Sequence, residues 1–246
     1  ASPARSARAA TATAVAAVVA VVAARAVSAK GLLPSSRFGG VKPPTTLSDG
    51  VVVLRQYRED DRAVALSTMR DPLTRQWLNM PASPRDADFD SLLRVVRDGF
   101  VSGDRLDYAI VTIDDDTPYG AVVASRRHRE NWELAYLAQQ AGRGRGLVTR
   151  AVSLLADWLF EQGVGRLEIR THPANLPSQR VAERCGFTRE GRERRSIWLH
   201  GRREDAHGGR FADALDRRRH PRGARGDAGD SAGRAGSNCR CPAGDN

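Results

Sequence analysis

The residues best equipped for chemistry lie in "LAQQAGRGRGLVTRAV", Leu137 to Val152, where three glycines and three arginines stand between an apolar run and an apolar helical repeat. Glycines let a backbone turn tightly and approach a ligand, first-turn amides of a helix lack internal acceptors, and the positive end of the helix dipole favours an anion. A phosphate cradle, a nucleic-acid tract and a plain basic loop all use these residue types. A dinucleotide fingerprint fails, because its third glycine falls on Leu147 when counted from Gly142 and on Thr149 when counted from Gly144. A nucleoside-triphosphate loop fails as well, since Leu147, not a lysine, follows Gly146. Arg-Gly repeats of RNA-binding tails are disordered, whereas this stretch is held between a strand pattern and a periodic helix. What remains is a strand, a Gly/Arg turn and a helix N-terminus that fits a pyrophosphate without lysine or metal. A Gly-rich turn with solvated arginines is the plainer alternative.

Other reactive residue types give weaker patterns. Cys185 stands alone before the glycine that ends a helix and reads as core, while Cys239 and Cys241 lie in a polar tail. Three cysteines in this arrangement make no disulfide framework and no metal site, and imply a reducing compartment. Asp114, Asp115 and Asp116 precede Thr-Pro and read as a solvated turn rather than a metal site. Arg192 to Ser196, "RERRS", reads as a charged hairpin surface, with an acidic substrate or ribosomal RNA as the functional alternative. His128 and His172 fall at strand ends, His200 in a turn, His207 and His220 in the tail.

The elements that must position the turn follow from periodicity. "VVVLRQYR" from Val51 suits a strand, and Ala63, Leu66 and Met69 recur at helical spacing after it. Helical regions are predicted over Thr74 to Leu78 and Pro84 to Ser102, the second with Phe89, Leu92, Leu93 and Val96 on one face. "LDYAIVTIDDDTPYGAVVASRRH" predicts two antiparallel strands joined at "DDDTP". "NWELAYLA" alternates as a third. Leu147, Ala151, Leu154, Leu155, Trp158 and Leu159 predict a helix with one buried face. "RLEIRTH" reads as a strand, "NLPSQRVAERCGF" as a short helix and "TREGRERRSIWLHGRREDA" as a hairpin.

A chain of 246 residues with 41% hydrophobic residues supports one domain with a proper core, flanked by tails. The net charge of +10 belongs to those tails, since residues 48–206 hold 25 Arg against 24 acidic residues. The excess therefore says little about what the folded part binds. Both lysines, Lys30 and Lys42, precede that segment, and its abundant Ala, Gly and Arg read as GC-rich coding. Residues 1–47 form an Ala-rich arm and a Pro/Gly/Ser linker, read as disordered, as signal-like, or as a stretch outside native coding. The apolar run Ala9 to Ala24 is short of the roughly 20 residues that span a bilayer, so no firm membrane association is expected and a cytoplasmic location is. Residues 207–246 read as a low-complexity, disordered tail.

"RGRGLVTRAV" after a strand, followed by "RLEIRTHPANLPSQRVAERCGFTREG", resembles the GCN5-related N-acetyltransferases (GNAT), and within them the ribosomal-protein alanine N-acetyltransferases. "VVVLRQYREDD...DP...W" is similar to the same branch, so the resemblance covers about residues 48–205. It implies an α+β three-layer fold with a central, mostly antiparallel sheet of about six to seven strands, flanked by helices, whose central strands splay. It implies transfer of an acetyl group from acetyl-CoA to a primary amine, on a ribosomal or other protein N-terminus or a small molecule, by direct attack in a ternary complex without a metal.

The resemblance also implies roles. Arg143, Gly144, Arg145, Gly146, Val148 and Thr149 hold the pyrophosphate, with Arg143 and Arg145 adding charge-assisted contacts. Val148 departs from the family's Gly or Ala, and its branched side chain is expected to crowd the turn. Backbone amides near Leu137 polarise the thioester carbonyl. Asn175 bonds the pantetheine arm or the acetyl region, and the acid is Ser178, a water or no specific group, since no Tyr follows Tyr136. Glu133, at the mouth of the splayed strands, is the candidate base, acting directly or through water, with an exposed strand glutamate paired with an arginine as the plainer alternative. A non-catalytic acyl-CoA-binding member of the fold and a nucleic-acid-associated protein acting through its tails stay open, as do monomer and homodimer. Relatives continue past a "REDA"-like segment into an apolar strand, whereas "REDAHGGRFADALD" continues here, suggesting a change of reading frame near Ala206 and a missing last strand.

Overall fold

The computed structural model describes residues 43–127 and 131–212. The expectations for residues 1–42 and 213–246, and for His128, lie outside the described residues.

β1 (Thr46–Ser48) and β2 (Val52–Arg55) open the chain, and a 3-10 turn leads into α1 (Arg62–Arg70), α2 (Pro72–Trp77) and α3 (Asp86–Ser102). β3 (Arg105–Thr112), β4 (Gly120–Arg126) and β5 (Asn131–Ala138) follow as a meander. Then come α4 (Leu147–Glu161), β6 (Arg166–Thr171), α5 (Leu176–Arg184), β7 (Thr188–Leu199) and β8 (Arg202–Ala212). The strands form one sheet in the order β1-β2-β3-β4-β5-β6-β8-β7. Every described neighbour pair is antiparallel except β5 with β6.

The sheet thus has eight strands rather than six or seven. One addition is β1, inside the stretch read as linker, whose three residues pair with β2. The other concerns the end of the chain: β8 runs six residues past Ala206 and pairs Thr171 with His207 and Arg166 with Ala212. The last strand is present, and His207 belongs to the sheet. Its weak apolar pattern hid it, because β6 on one side and β7 on the other supply its backbone partners.

Local chemistry sets the helix ends. Asp71 accepts the Thr74 N–H at 2.7 Å ahead of Pro72, a cap and an N1 proline that start α2. Asp88 accepts the Arg85 N–H at 2.7 Å at the start of α3, and Gly103, left-handed at φ 69°, ends it. On α1 the buried residues are Ala65, Leu66 and Met69, so Ala63 lies off the face its spacing suggested.

Even-numbered residues of β2 to β5, including Leu54, Tyr108, Ile110, Val122 and Leu134, form the main core with Ala151, Val152, Leu155 and Leu159 of α4. A smaller cluster joins Leu66 and Met69 of α1 to Phe89, Leu92 and Val96 of α3. Between these helices and Leu137, on the other face of the sheet, lies a small solvent-open hollow, lined by Tyr57, Met69, Met80, Leu92, Leu137 and Gln139 among others. Among the described residues no helix is long and apolar enough to cross a membrane.

Candidate active site

β5 and β6 are registered only at Asn131 with Arg166, Trp132 with Leu167 and Glu133 with Glu168. Beyond that point β5 keeps β4 as its partner through Ala138 and has no register with β6. The sheet therefore forks between two parallel strands. Alternation of the β4–β5 ladder is anchored at one end by Arg127 N–H to Asn131 O (2.8 Å) and at the other by Gln139 N–H to Tyr119 O (2.9 Å). It turns the amides of Glu133, Ala135 and Leu137 toward β4 and those of Tyr136 and Ala138 into the fork. The amides able to polarise a carbonyl there are those flanking Leu137, not its own.

At the end of β5 the chain makes the Gly/Arg turn. Gly142 packs so closely on the Tyr119 backbone that a Cβ has no room, and Gly144 and Gly146 are left-handed at φ 74° and 75°. α4 starts after Gly146 with no side-chain cap, and its first helical bond is Arg150 N–H to Gly146 O. The amides of Leu147, Val148 and Thr149 thus have no acceptor within the helix. The arginines behave differently from expectation. Arg143 is ion-paired with Asp71, Arg150 reaches Asp49 at 2.8 Å, and the Arg145 guanidinium lies 4.3 Å over the Tyr119 ring. Of the three, Arg145 remains at the turn surface to meet an anion. The crowding expected from Val148 does not occur: its side chain is 7% exposed and packs in the main core.

Across the fork, the Tyr136 hydroxyl donates to the Ser178 carbonyl at 2.7 Å and accepts from Ser178 Oγ at 3.2 Å. Burial pushes the Tyr136 phenol well above its ordinary range, which keeps it protonated. Tyr136 is the functional candidate that sequence reasoning passed over. Its even position on β5, sharing a face with Trp132 and Leu134, was the available signal. Asn175 caps α5 by accepting the Ser178 N–H at 3.2 Å, which leaves its Nδ2 as the group it can offer a ligand.

Glu133 is not at the mouth of the fork but at its closed end, 4% exposed. Its Oε2 accepts Arg127 Nε at 2.6 Å and Arg170 Nη2 at 2.7 Å, and its Oε1 accepts Arg170 Nε at 3.2 Å. A carboxylate so engaged shares its charge between two guanidiniums. His172, the residue after β6, lies against Trp77 with ring centroids 5.3 Å apart and planes tilted by 38°, and its Nδ1 accepts the Ala174 N–H at 3.1 Å. His200 and Asn79 join the β7–β8 turn to the segment after α2. Asn79 donates to Trp198 O and accepts from His200 N, both at 2.7 Å, and His200 Nε2 lies 3.1 Å from Gln76 O.

The three aspartates are a braced turn. Asp115 accepts from the Tyr119 hydroxyl at 2.5 Å, and Asp116 accepts Arg55 Nε at 2.6 Å and pairs with Arg58. Among the described residues no His, Cys, Asp and Glu cluster could hold a metal. Cys185 is buried, with Sγ 3.4 Å from Thr149 O.

The acetyltransferase (GNAT) domain family matches residues 52–188, more than half of the chain. Probable N-acetyltransferase YjcK of Bacillus subtilis is 35% identical over 102 residues, 40% of this chain and 56% of that protein, so the match spans little more than half the relative's length. The solved structure of Mycobacterium smegmatis RimJ in complex with CoA-disulfide is similar at TM-score 0.61 and 23% identity, over 71% of this chain and 87% of that one. RimL, a ribosomal alpha-N-protein acetyltransferase in complex with coenzyme A, is similar at TM-score 0.61 and 18% identity, over 69% and 97%. These two share the fold; the family match and the forked sheet carry the assignment. The chain belongs to the GNAT acetyltransferase family.

Proposed function

We propose that the protein transfers an acetyl group from acetyl-CoA to a primary amine, by direct attack while donor and acceptor are bound together. The observation that carries this reading is the fork between β5 and β6, with an uncapped amide turn at one end and the Tyr136–Ser178 pair across it. The pyrophosphate sits on the amides from Gly144 to Thr149, with Arg145 adding charge. The Asn175 Nδ2 meets the pantetheine arm. The thioester carbonyl, at the unpaired edge of β5, accepts from the Tyr136 or Ala138 N–H, which strengthens as the oxygen becomes an oxyanion.

Attack forms the N–C bond and breaks the C–S bond. The leaving sulfur takes its proton from the Tyr136 hydroxyl as that hydroxyl leaves the Ser178 carbonyl, and water returns a proton to the phenolate while Ser178 Oγ donates a hydrogen bond to it. The ammonium form of the acceptor gives its proton to water, since Glu133 is engaged by two guanidiniums. The acceptor class is a protein N-terminus or a small amine, and the likeness to RimJ and RimL supports the former.

Coenzyme A release, read with a thiol reagent, tests this on peptides with free N-termini and on small amines. Release that depends on one acceptor class is the expected result. Calorimetric binding of coenzyme A with no release across the panel overturns the reading in favour of a binding-only protein.

A further inference from the structure

The closed end of the fork is held by one carboxylate. Glu133 lies on β5 at its last registered position with β6, Arg127 is the residue after β4, and Arg170 lies on β6. Three consecutive strands of the sheet therefore converge on the two oxygens of Glu133. Arg170 binds them as a fork, Nε to Oε1 at 3.2 Å and Nη2 to Oε2 at 2.7 Å, while Arg127 adds Nε at 2.6 Å. The side chains are 5%, 17% and 14% exposed for Glu133, Arg127 and Arg170, so water competes little for these bonds.

Backbone pairing alone does not fix where β5 leaves β6. A parallel ladder of three registered pairs could extend or retreat by a residue, and each step would move the closed end of the fork along β5 and change how far the residues beyond it stand from β6 and α5. The ion triad stands at that boundary. Tyr136, with its hydroxyl and its amide, is three residues beyond Glu133, and Ala138 is five. A displacement of β5 at Glu133 moves all of these groups relative to Ser178 on α5 and to the Gly/Arg turn.

We infer that Glu133 is a positioning residue: by clasping Arg127 and Arg170 it sets the point at which β5 departs from β6, and so places the Tyr136 and Ala138 amides and the Tyr136 hydroxyl against the thioester. The inference rests on the acetyl-transfer reading of the fork. It also separates Glu133 from a base, which would take a proton from the acceptor.

Glu133→Gln keeps the shape and loses the charge that both guanidiniums share. The expected result is a rise of about tenfold in Kd for acetyl-CoA with Kd for coenzyme A, which lacks the carbonyl, within about threefold, a fall of about tenfold in kcat and an unchanged shape of the kcat pH profile. Arg170→Lys keeps the charge and loses the fork; it gives the same split at smaller amplitude and serves where Glu133→Gln does not fold. In the double variant Glu133→Gln/Arg170→Lys the effects on Kd for acetyl-CoA do not multiply, because both act through one pair.

A fall of about 100-fold in kcat at unchanged KM, with loss of the acidic limb of the profile, makes Glu133 a base and overturns the inference. Lower melting temperature with KM, Kd and kcat all unchanged overturns it as well. Acetyl-CoA binding by calorimetry, set against coenzyme A binding, needs no acceptor, so it reads the clasp even if no amine in the panel is acetylated. Absent turnover then counts against the acetyl-transfer reading alone, and unchanged Kd for acetyl-CoA against the clasp alone.

Discussion

Arg55 and Asp61 are 5% and 4% exposed and face each other through two bonds, Nη1 to Oδ2 at 2.8 Å and Nη2 to Oδ1 at 2.9 Å. Both charges are satisfied further: Asp61 accepts the Arg58 N–H at 2.8 Å, and Arg55 donates to Asp116. Such a pair adds little over an apolar substitute, but removing one partner strands the other. Asp61→Asn is expected to cost about 3–5 kcal/mol in urea unfolding; a loss under 1 kcal/mol would show that water reaches Arg55 readily. Tyr136 makes a different demand on its surroundings. Because burial raises its phenol, it stays protonated through and above neutral pH, so it puts no basic limb on kcat below about pH 10, its unperturbed range. Tyr136→Phe is expected to lower kcat by about 10² and leave the profile's shape alone. An unchanged kcat in Tyr136→Phe would remove the tyrosine from the acid role, and a basic limb near neutrality that the variant lacks would show that its phenol titrates well below the range its burial implies.

The coupling of elements rests on a few ion pairs of long reach. Asp71 caps α2 through the Thr74 N–H and pairs with Arg143 of the cofactor turn, so the turn is tied to a helix 72 residues away in sequence. The Arg143 guanidinium, with help from the Thr74 amide, holds the Asp71 carboxyl at about 2, against an ordinary 3.8. A folded value below the unfolded one means stability that is fully present above about pH 5 and lost as pH falls toward 2. Asp71→Asn is therefore expected to cost about 1–2 kcal/mol at pH 7, after allowance for partial solvent screening, and almost nothing near pH 2. Urea unfolding of both proteins at the two pH values checks this; an equal gap at both would assign the loss to the cap instead of the charge. An arginine so committed also explains why the phosphate-binding capacity of this turn lies in its amides and in Arg145.

At the scale of the whole molecule, what the sequence made legible was local. The strong repeat of Leu147 to Leu159, the meander around "DDDTP" and the glycines of the turn each announce themselves within a dozen residues, because periodicity and φ demand act over that range. The partners of Glu133 were not legible, since Arg170 lies 37 residues away and meets it only across a parallel strand pair. Nor was β8, whose polar sequence depends on neighbours already in place. The same holds for the closure of the molecule on its open side. Residues 76–79 meet the β7–β8 turn over sequence separations of 119 to 124 residues, through the two Asn79 bonds and the His200–Gln76 contact. A backbone carbonyl can only accept, so His200 Nε2 carries the proton in that contact. These bonds join the helical layer to the hairpin arm that extends past β6, beside the fork's open end. Each is worth about 1 kcal/mol, so losing the Asn79 pair loosens the arm without unfolding the sheet. Asn79→Ala is expected to raise KM for the acceptor amine by about tenfold and leave Kd for coenzyme A within about twofold. Faster amide exchange at residues 76–80 and 198–203 should accompany it. A matching loss of coenzyme A affinity would mean that the bridge supports the donor side, and unchanged acceptor kinetics would mean that the amine reaches the fork by another route.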